Sequence, residues 1–267
     1  MDERFQQGRH FLKSNWQVVR DNPSDQSMGL PTPLQELPAE EDDSVVALPP
    51  PDEAYRAAQT AASGTPADSA ASAAVLHAML KTRQSRRNFE VADLSMGALA
   101  YLLWACEGVR DNRGKYSFRT VPSGGARHPL DLYVFARRIK GLKPGLYRYL
   151  PIEHSLVLER DGDSSAALDE ALMKQLRNSS CVIMWAAVPY RSEWRYGKAA
   201  DKLVALDAGH SCQNLYLACE ALGLGTCAIG AYDQKKLDDY LGLDGEDMFA
   251  LYAAPVGWPK KGTGELD

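Results

Sequence analysis

The sequence has no apolar run near the ~18 to 20 residues that a membrane-spanning helix requires, and its first residues, MDERFQQGRH, are too polar for a secretory leader. No membrane role is expected. It has no block of Lys and Arg, and 30 basic against 35 acidic side chains leave a net charge of -5. That balance speaks against general binding to nucleic acid or to anionic lipid, so small molecules and proteins remain as partners. Cysteine is sparse: Cys106, Cys181, Cys212, Cys219 and Cys227 form no CxxC pair and sit in apolar segments. Neither a metal site nor a disulfide framework is expected, and the thiols read as small core residues of a cytoplasmic protein. There is no internal repeat, and Ser123 lacks the GxSxG elbow of a serine hydrolase. The Ser85-Arg86-Arg87-Asn88-Phe89 stretch looks like a twin-arginine export signal, but it lies far from the N-terminus and no apolar segment follows.

What the chain does have is 45% apolar residues over 267 positions, enough for a sizeable core. Its organising stretch is Lys198 to Gly230. From Leu203 to Leu222 almost every residue is apolar or small, and Asp207, His210, Ser211 and Asn214 fall on one narrow helical stripe. The pattern predicts the longest and most buried helix of the chain, covered on most sides, with His210 as a hydrogen-bonded core residue. It stops at Gly223 or Gly225, and a strand at Thr226 to Ile229 then delivers the small-residue turn Gly230-Ala231.

Before the compact part, eight of the fifteen prolines fall between Pro23 and Pro66, with an acidic run from Glu40 to Asp43. Residues 1–70 are therefore expected to be an extended proline-rich arm, opened by one short helix with Phe5, Phe11, Leu12 and Trp16 on its apolar side. Residues 71–267 form the domain. Helices are predicted over 72–81, over 96–106 with Ser95 as N-cap, from 164 or 165 to about 177, and over 233–241. Strands are predicted over 130–139, 146–149, 156–159, 181–188 and 249–256. Without a regular βαβ alternation this is an α+β fold, a sheet flanked by helices.

Three stretches can carry chemistry. Arg83-Gln84-Ser85-Arg86-Arg87 puts three guanidinium groups and a hydroxyl in one loop, a cradle for phosphate oxygens. A solvated basic helix end would read the same way. Arg119 to Pro129, RTVPSGGARHP, brackets small residues with prolines, so that backbone amides can approach a flat ligand. In Gly223 to Gly230 the glycines follow a helix and precede a strand, the reverse of a dinucleotide fingerprint, so a Rossmann phosphate turn is excluded.

Taken together, RQSRR at 83–87, RTVPSGGARHPLDLYVF at 119–135, DAGHSCQNLYLACEALGLGTCAIGAYD at 207–233 and VGWP at 256–259 resemble the nitroreductase-like, FMN-dependent oxidoreductases. Within them the chain is similar to the SagB-type dehydrogenase branch, known for oxidising azolines in ribosomally made peptides. The resemblance implies a mainly antiparallel central sheet around a long buried helix, and a homodimer with FMN at the interface. It implies that Arg83, Ser85 and Arg87 bind the FMN phosphate and ribityl chain. Pro122, Ser123 and Gly124 would reach the flavin from the other subunit, the N–H groups of Gly230 and Ala231 would lie at flavin N5, and Lys260 would add a phosphate contact. Azoline dehydrogenases carry a Lys-Tyr pair before the central helix. Here that place reads Trp194-Arg195-Tyr196-Gly197, and an arginine is a poor base. His128 stands where many relatives have glutamine, and Ala126 where many have asparagine. Arg195, Tyr196 and His128 are the substrate-side candidates. The activity implied is ping-pong hydride transfer through the flavin with NAD(P)H as donor. Two alternatives remain open: a dehydrogenase component acting on a peptide with a partner protein, and a flavin-binding scaffold without turnover.

Overall fold

The long run of small and apolar residues forms a helix of 22 residues, Ala200–Ala221, in a computed structural model that describes residues 3–13, 28, 67–114 and 116–260. By its contacts the chain divides into two units, Met1–Gln17 with Arg83–Asp267, and Val18–Thr82. The second unit contains the helix Ala67–Thr82, within which the compositional boundary at residue 70 falls. The prolines from Pro23 to Pro66, the acidic run and Trp16 lie outside the described residues, as does the side chain of Phe5.

In chain order the described helices are α1 (Glu3–Leu12), α2 (Ala67–Thr82), α3 (Met96–Glu107), α4 (Ser165–Ala171), α5 (Tyr190–Tyr196), α6 (Ala200–Ala221) and α7 (Gln234–Leu241). The strands are β1 (Leu94–Ser95), β2 (Val109–Asn112), β3 (Ser117–Arg119), β4 (Leu130–Ala136), β5 (Ile139–Lys140), β6 (Gly145–Leu150), β7 (Ser155–Asp161), β8 (Cys181–Ala187), β9 (Gly225–Thr226) and β10 (Phe249–Gly257). The main sheet has the order β7-β6-β4-β8-β10-β9, and every pairing in it is antiparallel. This is the α+β arrangement expected.

Side chains alternate across each central strand, so the sheet buries two faces. Leu130, Leu132 and Val134 of β4 join Ile183 and Trp185 of β8 under α3 and α6. Tyr133, Phe135, Val182 and Met184 point the other way, onto Leu168 of α4 and Leu237 and Tyr240 of α7. Strand β8 is buried at every position, which explains its unbroken apolar run.

Helix α6 departs from expectation in its polar stripe. Asp207 and Ser211 are buried, while His210, expected in the core, is exposed with Ala205, Leu206, Gly209 and Gln213. Ser211 and Asn214 of the stripe face inward, where the last carbonyls of α3 have no intrahelical partner. Ser211 Oγ donates to Cys106 O at 2.9 Å and accepts from Trp185 Nε1 at 2.8 Å, and Asn214 Nδ2 donates to Ala105 O at 2.9 Å. The helix is covered on one side, and its small-residue side is open in the single chain.

Other boundaries moved for local reasons. Helix α4 stops at Ala171 and not near Arg177, because the Asp169 carboxylate accepts from Leu176 N at 3.1 Å and the chain turns through positive φ at Met173 and Lys174. The strand expected over 130–139 breaks after Ala136, where the amides of Arg137 and Arg138 both donate to Ser180 O, and Ile139 pairs instead with Leu94. The predicted strand 226–229 shrinks to β9 plus an isolated bridge between Ile229 and Ala253. Helix α3 begins at the expected cap, Ser95 Oγ accepting from Ala98 N at 3.1 Å. In α1 Leu12 is buried but Phe11 is 76% exposed, and the helix is anchored by Arg9 instead. Arg9 pairs with Glu193 of α5 at 2.6 and 2.9 Å and with Asp247 at 2.6 Å.

Candidate active site

The residues singled out by sequence gather in two groups along α6. The first surrounds Tyr216. Residues 86–90 run beside β9 and the end of β10: Arg86 N donates to Thr226 O, Glu90 N to Trp258 O, and Lys260 N to Asn88 O. Phe89 fills the space that Gly257 leaves, since a Cβ there would lie 2.9 Å from its ring. With the segment pinned, Ser85 Oγ lies 3.0 Å from Tyr216 Oη, the same oxygen accepts from Ala228 N at 2.8 Å, and the Arg83 guanidinium stands 5.3 Å over the ring. Tyr216 therefore ties the arginine loop to the segment that leads into Gly230-Ala231.

Of the three guanidinium groups in the loop, Arg86 is engaged bidentately by Glu220 at 2.5 and 3.1 Å. Arg87 is exposed and borders a small recess with Gln175, Arg177 and Ile229. The turn itself is held from behind, Gln175 Nε2 donating to Ala231 O at 2.8 Å. A Cβ added at Gly230 would meet nothing within 4 Å, so the space beside the turn is open. Two guanidinium groups, a hydroxyl and an open, backbone-lined turn fit a phosphate-bearing planar cofactor.

The second group surrounds Asp207. Ser123 Oγ donates to Asp207 Oδ2 at 2.6 Å and accepts from His128 N at 2.9 Å, and Gly124 N donates to Asp207 Oδ1 at 3.3 Å. The loop between them is wound tightly: φ is 59° at Gly125, 53° at Ala126 and 46° at His128. Two non-glycine residues in the left-handed region signal stored strain, which the Ser123–Asp207 clasp maintains. A Cβ on Gly125 would lie 2.3 Å from Tyr196 Oη and 3.0 Å from Arg195, so the glycine lets the ends of both side chains rest against the loop. Helix α5 is fixed there by Arg191, which pairs with Asp131 at 2.6 and 2.9 Å and donates to His128 O at 3.3 Å.

His128 does not present its ring as a free acid or base. It is 5% exposed, Nε2 contacts Ser117 O at 3.1 Å, and Nδ1 is buried without a hydrogen-bond partner among the described residues, 3.9 Å from Glu107 Oε2. Burial, helped by Arg119, holds the imidazole down to about 4. Beside it Glu107 accepts from Arg119 at 3.0 Å, and burial pushes that carboxyl up to about 7 against the pull of the guanidinium. Sequence reasoning missed Glu107, Gln175, Asp207 as a clasp, and Tyr216. Asp207 was visible only as a member of a helical stripe, and Tyr216 only as one letter of the long motif at 207–233.

Residues 80–258 match the profile of the nitroreductase family. The chain belongs to that family. A protein of Methanocaldococcus jannaschii assigned as a nitroreductase is 35% identical over 184 residues, 68% of this chain and 90% of that protein. The trifolitoxin-processing protein TfxB of Rhizobium leguminosarum is 32% identical over 138 residues, 49% of this chain and 37% of that protein. Among solved structures, one assigned as a nitroreductase from Ralstonia eutropha superposes with a TM-score of 0.58 at 28% identity, over 68% of this chain and 82% of that one. A chain of the Escherichia coli microcin synthetase McbBCD complex gives 0.65 at 16% identity, over 94% and 92%, which is a likeness of fold. The chain is thus a nitroreductase-family oxidoreductase, with the loop at 83–87 beside Tyr216 and the loop at 122–128 beside Asp207.

Proposed function

We propose that this nitroreductase-family protein is an FMN-dependent oxidoreductase that works as a homodimer and takes its electrons from NAD(P)H. The observation that carries this reading is the convergence on Tyr216 of Arg83, Ser85 and the segment leading into Gly230-Ala231. Arg83 and Arg87 would take the phosphate, with Lys260 beside them, because guanidinium forks match its oxygens and stay charged. Ser85 would meet the ribityl chain. The N–H groups of Gly230 and Ala231 would face flavin N5, where main-chain donors favour the reduced anionic form without a titrating side chain. Bound there, FMN supplies two-electron hydride chemistry, passed between two substrates in turn.

The second subunit is supported by separation. Asp207 and Tyr216 are nine residues apart on α6, about 14 Å at the rise of an α-helix, so Pro122, Ser123 and Gly124 stand well away from Ser85 of the same chain. The open face of α6 at Ala205, Gly209 and Gln213 admits a close neighbour, which would bring the partner's copy of that loop to the flavin. Tyr196 and Arg195, packed on Gly125, would then face the substrate, while His128 would shape the loop from beneath. The five free buried thiols suit a reducing, cytoplasmic setting.

Similarity to a trifolitoxin-processing protein favours a second reading, a dehydrogenase component that acts on a peptide with a partner protein. A flavin-binding scaffold without turnover is the third. The visible spectrum of the purified protein, followed by anaerobic NADH and then NADPH, separates the three. Bleaching of a flavin band supports the reductase. A band that persists until a peptide and partner are supplied supports the second reading, and one that never bleaches supports the third. Arg83→Ala with Arg87→Ala is expected to abolish flavin retention, and a double variant that purifies with full flavin would refute the phosphate assignment.

A further inference from the structure

The strained loop, the β2–β3 hairpin and the end of α5 enclose a cleft of about 720 Å³. Arg110, Arg119, Arg127 and Arg195 all line it, and its described lining contains no Asp or Glu. Arg119 is matched by Glu107. The other three have no carboxylate partner among the described residues: Arg110 donates from Nε to Arg119 O at 2.8 Å, Arg127 donates to carbonyls of its own loop and stands 5.4 Å from the Trp194 ring, and Arg195 stands 5.5 Å from the Tyr196 ring. In a chain of net charge -5, three uncompensated guanidinium groups around one cavity are a local inversion of sign. Like charges held together without a counter-ion repel, and the arrangement is relieved when an anion enters.

A second observation points the same way. Arg119 and His128 both line the cleft, and each keeps one buried nitrogen, Nε and Nδ1, without a hydrogen-bond partner among the described residues. The His128 side chain is 4% exposed. Buried polar atoms are normally satisfied, and two exceptions side by side mark this wall of the cleft as polar and not fully paired from within.

We propose that this cleft binds an oxyanion group, carboxylate or phosphate, carried by the substrate of the oxidoreductase. The proposal rests on the flavin reading for the word substrate, but the binding of the anion stands apart from it. Arginine forks grip the planar or tetrahedral oxyanion bidentately, and Tyr116, Phe118 and Trp194 nearby offer faces to an unsaturated body.

The test is calorimetric titration of the full-length protein with inorganic pyrophosphate at low salt. We expect saturable binding that weakens as salt is raised, and a loss of about tenfold or more in Arg110→Gln with Arg127→Gln, since two charge-assisted contacts are removed. Arg113→Gln, outside the cleft and paired with Asp111, should stay within about twofold. If the double variant melts below the parent, each single variant is titrated instead, with a loss of about threefold expected in each. Wild-type protein that gives no saturable heat, or correctly folded variants that bind as tightly as the parent, would overturn the proposal. Displacement of pyrophosphate by NADP⁺ assigns the anion to the nicotinamide donor, and displacement by a triglutamate peptide assigns it to a carboxylate substrate. Displacement by neither overturns the substrate assignment. Flavin content is read from the same samples. If it falls in step with pyrophosphate affinity, the cleft is a cofactor phosphate site and the proposal fails; if it is unchanged, the proposal holds. A preparation that never carries flavin fails the proposed function, while the anion titration still reports on the cleft.

Discussion

Around Tyr216 the guanidinium of Arg83 and the hydroxyl of Ser85 are half-buried and Arg87 is exposed, and Arg83 and Arg87 have no carboxylate partner among the described residues. Around Asp207 the groups that hold the loop are engaged with one another, Ser123 Oγ with Asp207, Arg119 Nη1 with Glu107 and His128 Nε2 with Ser117 O, and the cleft arginines Arg110, Arg127 and Arg195 stand outside that set. One helix thus carries an open half, whose side chains are available to a ligand, and a sealed half, whose side chains hold a strained backbone in place. The open half should lose binding when mutated and keep its fold. The sealed half should lose its fold first.

The largest expected effect breaks the sealed half. Glu107→Ala leaves Arg119, with an 11% exposed side chain, without its carboxylate partner. Removing one partner of a buried pair costs about 3 to 5 kcal/mol, so the urea midpoint should fall clearly. The double alanine variant at Arg83 and Arg87 is the counterpart in the open half and, compared with the parent in flavin-free form, should shift stability by about 1 kcal/mol or less. Equal losses in the two would sink the distinction. A smaller effect probes the link between the loop and the turn. Tyr216→Phe removes the acceptor for Ala228 N and the partner of Ser85, a cost of about 1 to 3 kcal/mol if the amide stays dry. Flavin, measured by its absorbance after dialysis, should dissociate faster although no proposed ligand has been removed. Unchanged retention would mean that Tyr216 does not position the loop.

The loops of both halves were legible in the sequence, and the partners that seal the second, Asp207 and Glu107, were not, for a physical reason. Arg83, Ser85 and Arg87 lie within five residues, and Gly230-Ala231 follows a helix stop, so local pattern displays both. Periodicity likewise showed α3, α6, α7 and the central strands, since each buries a regular face. Helix α5, at seven residues, is too short to display a period, and the β2–β3 hairpin is built from short, charge-bearing strands. Glu107 looked like the polar end of an apolar helix. Its burial depends on Arg119 and His128 arriving from across the hairpin, a tertiary fact with no local signature. His210 was misread for the converse reason. A greasy helix suggested a core histidine, but α6 leaves one face open in the single chain.

The smallest expected effect sharpens the description of the sealed half through pH. His128 titrates near 4 in the folded chain against 6.5 when free, so it contributes stability that is present above pH 6.5 and lost as pH falls through 4. Glu107 titrates near 7 against 4.5, so its contribution is full below pH 4.5 and lost as pH rises through 7. Between 4.5 and 6.5 the two slopes oppose each other, and the wild-type melting temperature should change little from this pair. Removing one should expose the other. His128→Gln, free of the imidazole, should gain melting temperature relative to wild type as pH is lowered from 7 to 5. Glu107→Gln, which keeps an acceptor for Arg119, should lose it more steeply than wild type over the same range. Differential scanning calorimetry at three pH values measures both. Two variants whose slopes match the parent would show that neither group is held away from its ordinary titration, and that the loop is not underlain by a buried charge pair.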